Sequence, residues 1–245
     1  MHLRPVDIFW ASFFGLPPAD FLAAGVQVVP HHELKGYEGA WLFRRNGVSS
    51  CIISVPPRLV EPVRTAVASR NAEDLFCRET ATGLFGSQGA RVIGPAYQGF
   101  VEEENFLPAA GRARALGSQD AAALRRLADA CGQEAWDDAG IAPGQPNTFG
   151  CFAGAGEEEL AAVARFRVTE QEAAAAWIGV VTHPEHRGKG YGRTAVSVAT
   201  EQGLRRSLLL LYQTLLANAP SVALASRLGY RQYATHFAVR FWGGA

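Results

Sequence analysis

The segment from Ile178 to Gly192, IGVVTHPEHRGKGYG, constrains the fold more than any other stretch, because an apolar run passes straight into a basic turn punctuated by glycines at 188, 190 and 192. The pattern predicts a long strand over Ala173–Thr182 and a helix from Gly190 to about Arg206. Without a Cβ, glycine lets backbone N–H groups turn tightly onto an anion. The start of the following helix adds roughly half an elementary positive charge at the same place. Arg187 and Lys189 supply full charges, the first as a planar fork and the second as a mobile point charge. A loop of this kind is a cradle for a diphosphate. On the helix, Gly192, Val196, Ala199 and Gly203 share one face, small enough to lie close against a sheet.

The spacing excludes the two commonest cradles. A Walker loop ends in Gly-Lys-Ser/Thr, and here Gly190 is followed by Tyr191 and Gly192. A dinucleotide fingerprint needs a small residue where Arg193 stands. Read as Arg187-x-x-Gly190-x-Gly192, the segment resembles the acyl-CoA loop of the GNAT N-acetyltransferase superfamily. Downstream, LLLLYQTLLAN ends at Asn218 and PSVALASRLGY closes in Gly229 and Tyr230, which resembles the family's strand, Asn and Leu-Gly-Phe/Tyr helix in the same order. The resemblance covers roughly residues 112–242. It implies an α+β fold, a mixed sheet with helices on both faces, preceded here by an additional small α+β unit.

The resemblance also implies a chemistry. The cradle strand splays from its neighbour, and its free edge at Val180, Val181 and Thr182 pairs with the pantetheine arm of acetyl-CoA. Completing a free strand edge with a ligand makes physical sense. Arg187, Gly188, Lys189, Gly190, Tyr191 and Gly192 then hold the diphosphate, and Asn218 and Ser221 contact the arm, helix capping being the alternative role for both. A backbone N–H between Ile178 and Val181 polarises the thioester carbonyl. The acceptor is an amine, and no metal is implied. The chain departs from the family where many members carry a Tyr that protonates the leaving thiolate, because Ala225 stands there. Tyr212 and Ser226 are the substitute acids that the sequence offers. For the general base it offers Glu170 and Glu172 at the start of the long strand, and His183, Glu185 and His186 near the cradle. Two functions follow: acetyl transfer by direct attack of a positioned amine, or acyl-CoA binding in a regulatory or scaffold protein with weak turnover.

Composition sets looser limits. The chain of 245 residues has 23 basic and 23 acidic side chains, so no basic stripe argues for nucleic acid. Lysine occurs only at 35 and 189. Cys51, Cys77, Cys131 and Cys151 lack metal-ligand or redox spacing, which points to a reduced, cytoplasmic setting. The apolar stretch Ile8–Pro30 is broken by Asp20 and by Pro17-Pro18, and reads as a core helix rather than a membrane span. The oligomeric state stays open, a homodimer included.

The chain divides near Gly111, giving residues 1–111 as an N-terminal α+β unit and 112–245 as the acetyltransferase-like domain. In the first part, Asn46-Gly47 predicts a hairpin between Ala40–Arg45 and Val48–Val55. Helices are expected over Leu59–Ser69 and Ala72–Phe85, and an extended stretch over Arg91–Val101 broken at Gly94-Pro95. This unit reads equally as a degenerate GNAT-like half or as a lid. In the second part, Ser118 is expected to cap a helix through Ala130, Gln133–Ala139 forms another, and Phe149–Ala153 and Leu160–Thr169 form a hairpin around Glu157–Glu159. Leu208–Leu211 reads as a buried strand and Tyr233–Phe241 as the last one. His236 reads as a hydrogen-bonded structural histidine. Phe152 and Trp177 are either core residues or walls of an acceptor pocket.

Overall fold

The computed structural model describes residues 3–86, 89–154, 159–169 and 174–241. Ten strands form one mixed sheet in the order β1-β3-β2-β10-β4-β9-β8-β7-β6-β5. The first half contributes β1 (Gly25–Pro30), β2 (Gly39–Arg45), β3 (Ser50–Val55) and β4 (Ala90–Val101). The second contributes β5 (Arg114–Ala115), β6 (Thr148–Ala153), β7 (Glu159–Val168), β8 (Ala175–Thr182), β9 (Leu209–Leu215) and β10 (Arg231–Phe241). Three strand pairings join the parts of the chain before and after Gly111. The C-terminal strand β10 lies between β2 and β4, and β4 lies between β10 and β9.

Helices cover both faces. On one face lie α1 (Pro5–Phe14), α2 (Pro18–Leu22), α6 (Ala121–Cys131) and α7 (Gln133–Ala139). On the other lie α3 (Val60–Val67), α4 (Ala72–Leu75), α5 (Arg78–Phe85), α8 (Tyr191–Leu204) and α9 (Ala219–Arg227). The alternation of β8 and β9 shows which side each side chain serves. Trp177 and Leu211 pack with α1, whereas Ile178 and Tyr212 pack with α8 and α9. No helix among the described residues is long and apolar enough to cross a membrane.

Several local expectations need correction. Ile8–Pro30 is two helices and a strand, because Gly15 takes a left-handed φ of 65° that closes α1, Pro17-Pro18 starts α2, and Gly25–Pro30 pairs in parallel with β3. The helix expected over Ala72–Phe85 is likewise two, with the break at Phe76-Cys77, and the Cys77 sulfur accepts the Thr80 N–H at the second start. Gly94-Pro95 does not end β4; its peptide bond is cis, and pairing with β10 continues on both sides of a register shift. Ser118 does not cap α6. Asp120 organises that turn, accepting the Gly117 N–H at 2.8 Å and a two-pronged bond from Arg114 at 2.9 and 2.7 Å. These bonds from Arg114, together with that from Gly117, hold the Asp120 carboxyl below its usual range.

Candidate active site

Strands β8 and β9 run parallel and are paired from Ala175↔Leu209 to Ile178↔Tyr212 only. Beyond that point each keeps its outer partner. β7 follows β8 as far as Thr182, and β4 follows β9 as far as Leu215. The inner edges of Gly179–Thr182 and Gln213–Leu215 therefore face each other without a shared ladder, which leaves a wedge with Ile178 and Tyr212 at its vertex. Gly179 belongs to this geometry. A Cβ there would meet the Ala139 carbonyl at 2.0 Å, so the residue lets the end of α7 lie directly on the opening strand. Val180 points toward α8 and α9, and Val181 toward α6 and α7.

The cradle follows at the end of β8. Pro184–His186 make one 3-10 turn, and Gly188 and Gly190 take φ of 76° and 91°, a region that glycine enters freely. Gly190 caps α8, and the first N–H groups of that helix have no acceptor within it. Gly192 packs so closely that a Cβ would lie 2.5 Å from the Thr182 hydroxyl oxygen. Arg187 and Lys189 are exposed beside the loop, and Arg187 donates through Nε to the Thr182 carbonyl at 3.4 Å. The half-buried Tyr191 ring packs edge-on against His186. The structure thus brings Val180, Val181, Thr182 and the whole run from Arg187 to Gly192 to one end of the wedge.

The histidines proposed as bases stand under this loop. His186 Nε2 lies 2.9 Å from Glu159 Oε2, and His183 Nε2 lies 3.8 Å from Oε1. The hydrogen bond with His186 holds the Glu159 carboxyl below its usual range. The three ligand atoms lie within 4.8 Å of one another. His183 Nδ1, however, accepts the Glu185 N–H at 3.3 Å, so in the neutral ring the proton sits on Nε2, facing the carboxylate. The cluster in this state is a brace between the β6–β7 hairpin and the cradle. Sequence reading missed Glu159 in this role, because the contact spans 27 positions. Glu185 is exposed. Glu170 and Glu172 lie outside the described residues, as do Glu157 and Glu158.

Of the two acids, Tyr212 sits at the vertex, 1% exposed, with its hydroxyl 2.9 Å from Ser221 Oγ. Burial raises its phenol above the usual range, more than the Ser221 hydrogen bond lowers it, so the group stays protonated at neutral pH. Ser226 is a correction. It is exposed and donates to the Val222 carbonyl at 3.0 Å, because one position along a helix from Ala225 is a turn of about 100° away from the buried face. Ala225 itself is fully buried in the cluster that holds Tyr212 and Tyr230. Asn218 caps α9, its side-chain oxygen accepting the Ser221 N–H at 3.3 Å. Ser221 does not cap; its hydroxyl belongs to Tyr212.

His236 is 2% exposed, stacks on Trp41 with ring centroids 4.4 Å apart, and has Nδ1 2.8 Å from Gln98 Nε2. Burial lowers its pKa to about 4, so it is a neutral structural residue. Trp177 lies against Phe9 and Trp10, at 6.1 and 6.0 Å between centroids, which puts α1 on the same face as Gly179 and Val181. Phe152 lies under the Arg114 guanidinium, 4.4 Å from its carbon to the ring centroid. It borders a cavity of about 740 Å³ that reaches the cradle through Lys189, Gly190 and Tyr191.

Residues 121–230 match the family model described as the acetyltransferase (GNAT) family. Among solved structures, the chain is similar to an acetyltransferase from the GNAT family of Colwellia psychrerythraea, at 16% identity and a TM-score of 0.50 over 66% of this chain and 61% of that one. At that identity the likeness concerns the fold, and the match spans about three-fifths of the Colwellia protein. Similarity extends to a putative GNAT-family acetyltransferase of Novosphingobium aromaticivorans, at 24% identity and a TM-score of 0.47 over 63% of this chain and 69% of that one. A GCN5-related N-acetyltransferase of Kribbella flavida is similar at 22% identity and a TM-score of 0.48, over 77% of this chain and 76% of that one. No curated protein matches the chain. The splayed parallel strands, the glycine cradle and the family match lie in the same residues: the C-terminal portion of this chain is a domain of the acetyltransferase (GNAT) family.

Proposed function

We propose that the protein moves an acetyl group from acetyl-CoA to an amine acceptor by direct attack. The observation that carries this reading is the wedge beyond Ile178 and Tyr212, which ends in an anion cradle at the start of α8. In this reading the diphosphate takes the N–H groups of Gly188–Gly192, with Arg187 and Lys189 beside it. The pantetheine amides pair with the inner edge at Val180–Thr182, in place of the missing strand. The thioester carbonyl then reaches the vertex, where a backbone N–H of Ile178–Val181 stabilises the oxyanion. The amine nitrogen bonds to the carbonyl carbon, the C–S bond breaks, and the thiolate takes up the proton that the nitrogen sheds. Tyr212, protonated and bonded to Ser221 at the vertex, relays that proton by giving its own to the thiolate and recovering the one from the nitrogen, since Ala225 carries no hydroxyl. Acceptors approach on the face where α1 and α7 flank Trp177 and Gly179.

A second reading, acyl-CoA binding with weak turnover, is favoured by one specific observation, the buried Ala225. Calorimetry with acetyl-CoA and desulfo-CoA, run beside thiol release over a library of amines, separates the two. Binding with thiol release for some amine supports transfer. Binding that an Arg187→Ala/Gly190→Val variant loses, without turnover, supports the second reading. No binding to the native protein overturns both.

A further inference from the structure

The 740 Å³ cavity lies on the side of the cradle away from β9. Its floor is β6 at Gly150–Phe152, one wall is the segment 110–114, and the other is the cradle with the first turns of α8. The wall is fixed rather than draped. Ala109 N donates to Ser197 Oγ at 2.9 Å, Thr194 Oγ1 donates to the Ala110 carbonyl at 3.2 Å, and Cys151 Sγ lies 3.2 Å from the Arg112 carbonyl.

Among the described residues its charge is one-sided. Arg112, Arg114, Lys189 and Arg193 line the space, and no carboxylate is among the described lining residues. Arg114 is committed to Asp120. Arg193 Nε is buried without a hydrogen-bond partner, and such a donor on a charged group is costly unless a ligand meets it. Arg193 also occupies the first turn of α8, where the helix dipole disfavours a cation. Like charges gathered at a positive helix end are unfavourable in the free protein and favourable once an anion arrives. One diphosphate at the cradle, taken up by Lys189 and the loop N–H groups, leaves Arg112 and Arg193 without an anionic partner along the same cavity.

We propose that this cavity is a second anion subsite, which receives the ribose 3′-phosphate at the nucleotide end of the acyl-CoA. This rests on the acetyl-CoA reading above. A phosphate monoester carries close to two negative charges at neutral pH and offers several acceptor oxygens to guanidinium forks. Arg112 and Arg193 close on it from opposite walls, and Lys189 lines the same cavity at the cradle. The volume lies in the range of small-molecule sites, about 300–1,000 Å³, and so accommodates the nucleoside along with the phosphate.

The test is calorimetry with acetyl-CoA and with acetyl-3′-dephospho-CoA, on the native protein and on Arg112→Ala/Arg193→Gln. The native protein is expected to bind the dephospho compound about tenfold or more weakly, the size of lost charge-assisted hydrogen bonds. In the variant, acetyl-CoA should fall to the dephospho value while the dephospho compound is unchanged. Equal affinity of the native protein for both compounds overturns the subsite, as does a variant that weakens both by the same factor. Gly190→Val separates this inference from the reading beneath it. If that variant loses both ligands while the native protein does not distinguish them, the subsite falls and the cradle stands; if the native protein binds neither compound, both fall.

Discussion

The two halves of the sheet are packed by opposite means. Beside β2 and β10, α1 and α2 bury Phe9, Trp10, Phe13, Phe14 and Phe21 against Phe43, a cluster of large rings in edge and tilted contact. Beneath β7, β8 and β9, α8 makes its approach with Gly192, Ala195, Ala199 and Gly203, and meets Ala162, Ala164 and Ala176 there among the larger Phe166, Ile178 and Leu210. Aromatic rings bring much buried area, about 1.5–3 kcal/mol for each one fully removed from water. Small residues bring little area but let backbones approach, and backbone N–H groups and a free strand edge are what an acyl-CoA site requires. The aromatic side anchors the sheet, and the glycine and alanine side presents it.

The largest expected effect tests that division directly. Trp10→Ala should cost about 3–5 kcal/mol of stability, as large aromatic truncations do, and leave acetyl-CoA affinity of the folded protein unchanged, measured by chemical denaturation and calorimetry. A single cooperative transition is expected, since β10 and β4 are paired across the two halves; a two-step melt in which only the first step moves would show that the halves fold separately.

Gly190→Val acts from the other side. It forces a β-branched residue to a φ of 91° and should weaken acetyl-CoA binding by about 100-fold, the loss of two charge-assisted hydrogen bonds, with a smaller change in stability than Trp10→Ala. Unchanged binding would remove the cradle from the site.

A third effect lies at the seam between the halves. His236 has a pKa of about 4 in the folded chain, below the unfolded value of about 6.5. Above pH 6.5 both states are neutral and nothing is lost. Between 6.5 and 4 the unfolded chain takes up a proton that the folded chain refuses, so stability falls as pH falls, by up to roughly 3 kcal/mol. In His236→Gln this part of the pH dependence should vanish, read as the difference between native and variant denaturation curves at pH 7 and pH 4.5. Parallel curves would mean that the ring opens to water.

The smallest effect separates two neighbouring serines. Ser221→Ala removes the partner of Tyr212 and should lower kcat about tenfold with little change in KM for acetyl-CoA, whereas Ser226→Ala should leave both within error. Equal behaviour of the two would dissociate the Tyr212–Ser221 pair from turnover.

The sequence made one end of the site legible and hid the other. Glycines at 188, 190 and 192 and the helix behind them are local signals, since turn geometry depends on residues adjacent in the chain. The extent of α8 and the hairpins β2–β3 and β6–β7 are readable for the same reason. The direction of Ser226 was within reach of helical periodicity once Ala225 was placed inward. The break at Phe76-Cys77 was not, since apolar spacing continues across it.

By itself, then, the sequence determined the cradle, the class of fold and the absence of a phenol at 225, all of which depend on residue type and near-neighbour spacing. The tertiary structure decided the rest. It placed β4 between β9 and β10, ended the β8–β9 ladder at Tyr212, and set Glu159 beneath His183 and His186. It also gathered Arg112 and Arg193 around one cavity. Each of these joins segments far apart in the chain, and such pairings are chosen by the burial of whole faces and the completion of whole ladders, quantities that no short stretch of residues contains.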